Sequence, residues 1–156
     1  MNIGVLIVDK VGGNKSLIED FINQLSYTKH HFINLNNSIG FFKNSKISDF
    51  EKFDLGYKKI TNGTIDKLIV FYKDSFLPTI YFSKYKDIIV APVLDELSSN
   101  LTMKHNNTNV LVLGYSQSIS WNQLINIAKS FLESQYEGGR HQERIHLITK
   151  SFKEEN

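Results

Sequence analysis

Four short, nearly continuous apolar runs punctuate the chain: IGVLIV (residues 3–8), LIVFY (68–72), DIIVAPV (87–93) and NVLVLG (109–114). Each is rich in β-branched residues or leucine and closes on polar or turn residues, as strands buried on both faces of a parallel sheet do. HFINL (31–35) is a fifth, less apolar candidate. The segments between them carry helical periodicity. In SISWNQLINIAKSFLESQY, Trp121, Leu124, Ile125, Ala128, Phe131 and Leu132 recur at spacings of three and four, and Ser120 with Gln123 has the form of a capping box. Less regular helical patterns cover about 15–26, 48–61, 75–83 and 95–105. Strand and helix alternate, which predicts an α/β fold: a three-layer α/β/α sandwich around a doubly wound, five-stranded parallel sheet of Rossmann-like type, with right-handed crossovers. Residues 1–150 are expected to form a single domain, 36–47 an irregular loop, and 151–156 a charged, frayed tail.

Composition narrows the function classes. The net charge is +2, and 18 basic residues are interspersed with 16 acidic ones, so no basic stripe marks a nucleic-acid surface. The chain has no cysteine, which removes disulfides, a thiolate nucleophile and any cysteine-based metal site. The apolar run at the start ends at Asp9 and Lys10, too short for a signal-peptide core or a membrane span, so no membrane association is expected and a cytoplasmic location is.

Arginine is distributed unlike lysine. Lysines are scattered from Lys10 to Lys153, whereas both arginines, Arg140 and Arg144, fall in YEGGRHQERI, just after a Gly-Gly break. A guanidinium presents a rigid planar fork of donors that grips phosphate or carboxylate, which an ammonium cannot imitate; the alternative is a helix-start ion pair with Glu137 or Glu143. Ligands of open α/β sheets bind outside the carboxyl ends of the strands. Asp9 and Lys10 fall where the first strand should end, either as a solvated strand end or as part of a site. In KHNNTNVLVLG, His105 closes a predicted helix, and Asn106 and Asn107 turn the chain into the next strand. A histidine there is favoured by the helix dipole as a cap. The same placement is expected to let the imidazole face the sheet's carboxyl edge, where a general acid or base works.

HNNTNVLVLG, followed beyond the next helix by QYEGGRHQERI, resembles the sugar-phosphate isomerase family of type B ribose-5-phosphate isomerase and lactose-catabolic galactose-6-phosphate isomerase. The resemblance extends through VLDELSSNLTMKHNN, SDFEKFDLGYKKITNGTID and GVLIVDK, and Asp9-Lys10 stands in the form found in A-type chains of the galactose-6-phosphate branch. It implies the fold derived above, an active site lying between two subunits of a homo- or hetero-oligomer, and a sugar-phosphate substrate with no cofactor and no metal. It also implies that His105 assists ring opening, Asn106 and Asp9 bind substrate, Arg140 and Arg144 hold the phosphate, and Lys10, in place of a histidine, adds positive charge near the substrate.

One block departs from the family. Catalytic members carry a glycine-rich loop after the third sheet strand, with a cysteine base and backbone N–H groups for the enediolate. This chain has YKDSFLPTIYFSK there, with Tyr72 at the cysteine position, Asp74 near a threonine and no glycine. Near Gly114 a further family arginine is replaced by Tyr115, Ser116 and Gln117. Three functions follow: an A-type isomerase subunit whose base comes from a B-type partner chain, a non-catalytic sugar-phosphate-binding sensor or regulator, or a self-sufficient enzyme with Asp74 as catalytic base.

Overall fold

The structure is a computed structural model of the 156-residue chain; it describes residues 1–8, 14–39, 47–116 and 119–152. Five strands, β1 (Asn2–Ile7), β2 (His31–Asn34), β3 (Lys67–Tyr72), β4 (Val90–Pro92) and β5 (Val110–Gly114), form one sheet in the order β2-β1-β3-β5-β4, and every pairing is parallel. The helices are α1 (Asn14–Leu25), α2 (Asn36–Ile39), α3 (Asp49–Thr61), α4 (Phe76–Ser83), α5 (Glu96–Asn106), α6 (Trp121–Glu133) and α7 (Arg140–Ser151).

Alternate residues of the central strands feed two cores, as the two-residue period of a strand requires. On one face Val5, Ile7, Ile69, Phe71, Leu111 and Leu113 pack with Ile18 and Phe21 of α1, Met103 of α5 and Leu124, Ala128 and Phe131 of α6. On the other, Leu6, Leu68, Val70, Tyr72, Val110 and Val112 pack with Phe53 of α3 and Phe82 of α4. Helices thus cover both faces, and the apolar continuity of the strands has its cause in that double burial.

The capping box foreseen at Ser120 is present: Gln123 N–H donates to Ser120 Oγ at 3.2 Å, and Ser120 N–H donates to Gln123 Oε1 at 2.8 Å. A second box, Ser48 with Glu51, starts α3. The ladder of β4 is shorter than the apolar run 87–93. At its start the Asn109 side chain adds to the backbone bonds at Ile89 O, accepting from Ile89 N–H at 2.8 Å and donating to Asp87 O at 2.9 Å. At its end stands Pro92, without an N–H, on an edge strand where proline is tolerated. Part of the loop expected at 36–47 is a single helical turn, α2, where Asn36 Nδ2 donates to Ile7 O at 2.8 Å. Helix α7, which the hydrophobic pattern does not assign, packs on α5 and continues to Ser151.

Candidate functional site

Every helix that follows a strand returns antiparallel to it, and this decides where the candidate residues lie. Helix α5 starts under an Asp95 cap, whose Oδ1 accepts from Ser98 N–H at 2.7 Å, and ends at Asn106, four residues before β5 begins. His105 and Asn106 therefore sit at the amino-terminal edge of the sheet. Lys67, the first residue of β3, confirms this by donating to Thr108 O at 2.7 Å, in the turn that follows α5. The expectation that His105 faces the carboxyl edge is thus corrected: it transfers the strand-end rule to a helix end, which lies across the sheet.

The turn out of α5 is built by Asn107, left-handed at φ 52°, whose N–H caps Met103 O at 3.1 Å. Beside it the chain leaving α6 returns, and Glu137 N–H donates to Lys104 O at 2.9 Å. Gly138 (φ 65°) and Gly139 (φ 57°, ψ −129°) then turn it sharply into α7, in conformations that side-chain-bearing residues rarely adopt. This places His141 parallel to His105, with ring centroids 4.3 Å apart and an interplanar angle of 8°. Glu137 Oε2 lies 3.7 Å from His141 Nε2. Burial, the neighbouring His105 and the Arg140 guanidinium, with a smaller contribution from Arg144, hold the His141 pKa below its ordinary value; Glu137 opposes them.

Arg140 and Arg144 are exposed, one turn apart on the first half of α7, with His141 between them in sequence. Their side chains and the amino-terminal dipole of a 12-residue helix, beside the stacked imidazoles, make a positive surface suited to an oxyanion. A cation fits poorly. His105, Glu137 and His141 bring donor atoms within 4.8 Å of one another. Two stacked rings 4.3 Å apart, however, hold their lone pairs in separate parallel planes that one ion cannot share, and two guanidiniums stand close by.

Asp74 lies at the other edge, after the carboxyl end of β3. Along β3 the two edges are separated by about 16 Å, at roughly 3.3 Å per residue, so one chain does not bring Asp74 to His105. Asp74 Oδ1 accepts from Phe76 N–H at 2.8 Å and Leu77 N–H at 3.3 Å, capping α4. Tyr72 is buried, and its hydroxyl donates to Asp49 Oδ2 at 3.0 Å. Among the described residues Asn107 is the only non-glycine with positive φ, so 73–78 contains no left-handed cradle of N–H groups. Asp9, Lys10 and Gln117 lie outside the described residues. His141 and Lys67 belong to the amino-edge cluster but escape sequence reasoning. His141 was in plain view within GGRHQER, whereas a lone lysine opening a strand gives no signal.

Residues 15–148 match the family model described as Ribose/Galactose Isomerase. Galactose-6-phosphate isomerase subunit LacA 2 of Streptococcus pyogenes serotype M3 is 29% identical over 148 residues, spanning 94% of this chain and 96% of the relative. The LacA subunit of Streptococcus pneumoniae strain Taiwan19F-14 is 38% identical over 73 residues, 47% of this chain and 51% of that one. The ribose-5-phosphate isomerase B of Mycoplasma genitalium, solved with bound ribulose-5-phosphate, superposes with a TM-score of 0.73 at 25% identity, covering 98% of this chain and 97% of that one. The type B enzyme of Leishmania infantum shares the fold with a TM-score of 0.81 at 18% identity, covering 99% and 98%. With the family match running through both halves of the sheet and over the His105 and Arg140–Arg144 segments, the chain belongs to the ribose/galactose isomerase family of sugar-phosphate isomerases.

Proposed function

We propose that this chain is a subunit of an aldose-ketose isomerase acting on a sugar phosphate of the galactose 6-phosphate or ribose 5-phosphate type, and that it supplies the ring-opening and phosphate-binding half of a site completed by another chain. One observation carries this: His105, Asn106, Arg140 and Arg144 gather at the amino edge, a full strand length from the carboxyl edge.

Isomerisation requires ring opening, transfer of a proton between neighbouring carbons, and stabilisation of the enediolate between them. Arg140 and Arg144 anchor the phosphate by charge-assisted bonds, and Asn106 offers an amide to a sugar hydroxyl. His105, stacked on a largely neutral His141, moves a proton between the ring oxygen and the anomeric hydroxyl. The base then carries the proton from one carbon to its neighbour, so the redox change is internal and needs no cofactor. That base and the N–H cradle come from a B-type partner chain, because Asp74 caps α4 and no left-handed cradle follows β3. Asp9 and Lys10 are assigned to the substrate contacts.

The same two features favour a second reading, a sugar-phosphate-binding sensor or regulatory subunit without turnover. Measuring turnover on galactose 6-phosphate, ribose 5-phosphate and allose 6-phosphate separates them. The isolated chain should be inactive and the mixture with a B-type subunit active, with His105→Ala abolishing the mixed activity. Robust turnover by the isolated chain, lost in Asp74→Asn, would establish a self-sufficient enzyme instead. Binding without turnover in every mixture would leave the sensor.

A further inference from the structure

We propose that Lys67 is a positioning residue for His105 and Asn106, its buried ammonium fastening the turn that carries them to the start of β3. What His105 does there rests on the isomerase assignment above; where it sits does not.

Lys67 opens a strand, yet it is only 6% exposed. Its Nζ donates to Thr108 O at 2.7 Å and Asn107 Oδ1 at 3.3 Å, and lies 5.5 Å from the centroid of the Phe131 ring. The adjacent Asp66 carboxylate is engaged by Asn2 N–H at 2.6 Å. Among the described residues no carboxylate forms an ion pair with Lys67. The charge is thus withdrawn from water against neutral acceptors and a ring face, and burial lowers its pKa to about 8. An unpaired buried ammonium is a costly way to fill a core position. What it holds in return is specific.

The connection from α5 to β5 spans only residues 107–109, and each has its own restraint. Asn107 is left-handed, Thr108 Oγ1 donates to Thr102 O at 3.1 Å, and the Asn109 amide bridges Asp87 and Ile89. On the far side of His105, Lys104 O is tied to Glu137 N–H. Leu68 N–H of β3 donates to Asn109 O at 2.8 Å, and Lys67 is the side-chain tie that joins the rest of this turn to β3, gripping the left-handed residue itself. Without it, the left-handed Asn107 is held only by its own N–H bond to Met103 O, and the last turn of α5 loosens, which shifts His105 off the His141 ring. Arg140 and Arg144 stand on α7 and keep their place through the Glu137 tie. Loss of Lys67 should therefore lower kcat while leaving the phosphate-dominated KM little changed.

The chain has no cysteine, so Lys67→Cys creates a single alkylation site. Treating the unfolded variant with 2-bromoethylamine and refolding it restores an ammonium at nearly lysine length. Native protein carried through the same cycle is the control. Wild type, Lys67→Met, Lys67→Cys and the aminoethylated protein are each assayed with the B-type subunit, and the His105 ring-proton resonances are recorded on each chain alone. The expectation is a kcat lowered about 10- to 100-fold in the Met and Cys variants, the size of a small misplacement of a reacting group. KM should hold, the His105 resonances should move, and aminoethylation should restore both. Unchanged kcat and resonances in folded Lys67→Met would overturn the inference, as would a loss that aminoethylation of a folded protein does not repair. If the native chain turns over nothing with any partner, the isomerase assignment fails separately. The His105 resonances then decide on Lys67: displaced and rescued supports it, unchanged refutes it.

Discussion

Replacing Lys67 with methionine should change the pH dependence of folding more than its magnitude at neutral pH. The lysine titrates at 10.5 in the unfolded chain and at about 8 when folded, because burial disfavours its charge. Between those values the unfolded state binds more protons than the native one, so the free energy of unfolding rises with pH across that window. Below about 8 both states are charged and the burial penalty is present in full; above 10.5 it has gone. At roughly 1.4 kcal/mol per pH unit, the interval is worth about 3 kcal/mol. Methionine removes the penalty but strands Thr108 O and Asn107 Oδ1, at about 1–3 kcal/mol for a lost buried bond. The two nearly offset near pH 7. Wild type should then gain about 3 kcal/mol on the variant as pH is raised through the window. Urea denaturation followed by the single tryptophan measures it, since Trp121 packs on Phe71 at 5.3 Å and donates to Asp20 Oδ2 at 2.8 Å. Tyrosines and the other lysines titrate in both proteins and cancel in the difference. A stability difference that stays flat across the window would show that Lys67 is not held out of water and would refute the reasoning.

Arg144→Lys should weaken binding of inorganic phosphate or a sugar phosphate about tenfold or more, through loss of one charge-assisted bond, with the fold intact; unchanged affinity by calorimetry would remove the arginines from the site. Asp74→Asn should keep α4 stable, since asparagine also caps, and should leave the activity of a mixture with a B-type subunit unaffected; loss of that activity would make Asp74 the base. Gly139→Ala meets no neighbour within 4 Å, so its cost is conformational, about 1–3 kcal/mol at such a φ and ψ, and should appear as lost amide protection in α7. An NMR titration should place His141 below its ordinary 6.5, lower still in Glu137→Gln and higher in His105→Ala, because Glu137 raises and His105 depresses it; a midpoint insensitive to both changes would deny the pair its coupling.

The sheet is legible in the sequence because its strands are buried on both faces, which leaves unbroken apolar runs such as LIVFY. Helix α6 is legible for the related reason that one stripe of it is buried and its box is local. Helix α7 is not, because its large apolar residues Leu147 and Ile148 are 67% and 58% exposed and mark no core-facing stripe. The arginine segment points to a site through composition alone. The edge on which His105 lies is a matter of chain direction, which periodicity does not express. Lys67 is invisible because its burial depends on Asn107, Thr108 and Phe131, 40 to 64 positions away.

The uncovered apolar side of α7 ties two equilibria together. Leu147 and Ile148 share that short helix with Arg140 and Arg144, and Leu97 and Leu101 on neighbouring α5 are exposed as well. Any chain that covers these side chains holds α7 against fraying and so sharpens the grip of the guanidiniums. Linkage makes the effect reciprocal: a phosphate ester that orders α7 must tighten that association by the same factor. Anion affinity should therefore climb with the concentration of whichever chain covers α7, and sedimentation of that mixture should respond to inorganic phosphate in the same proportion.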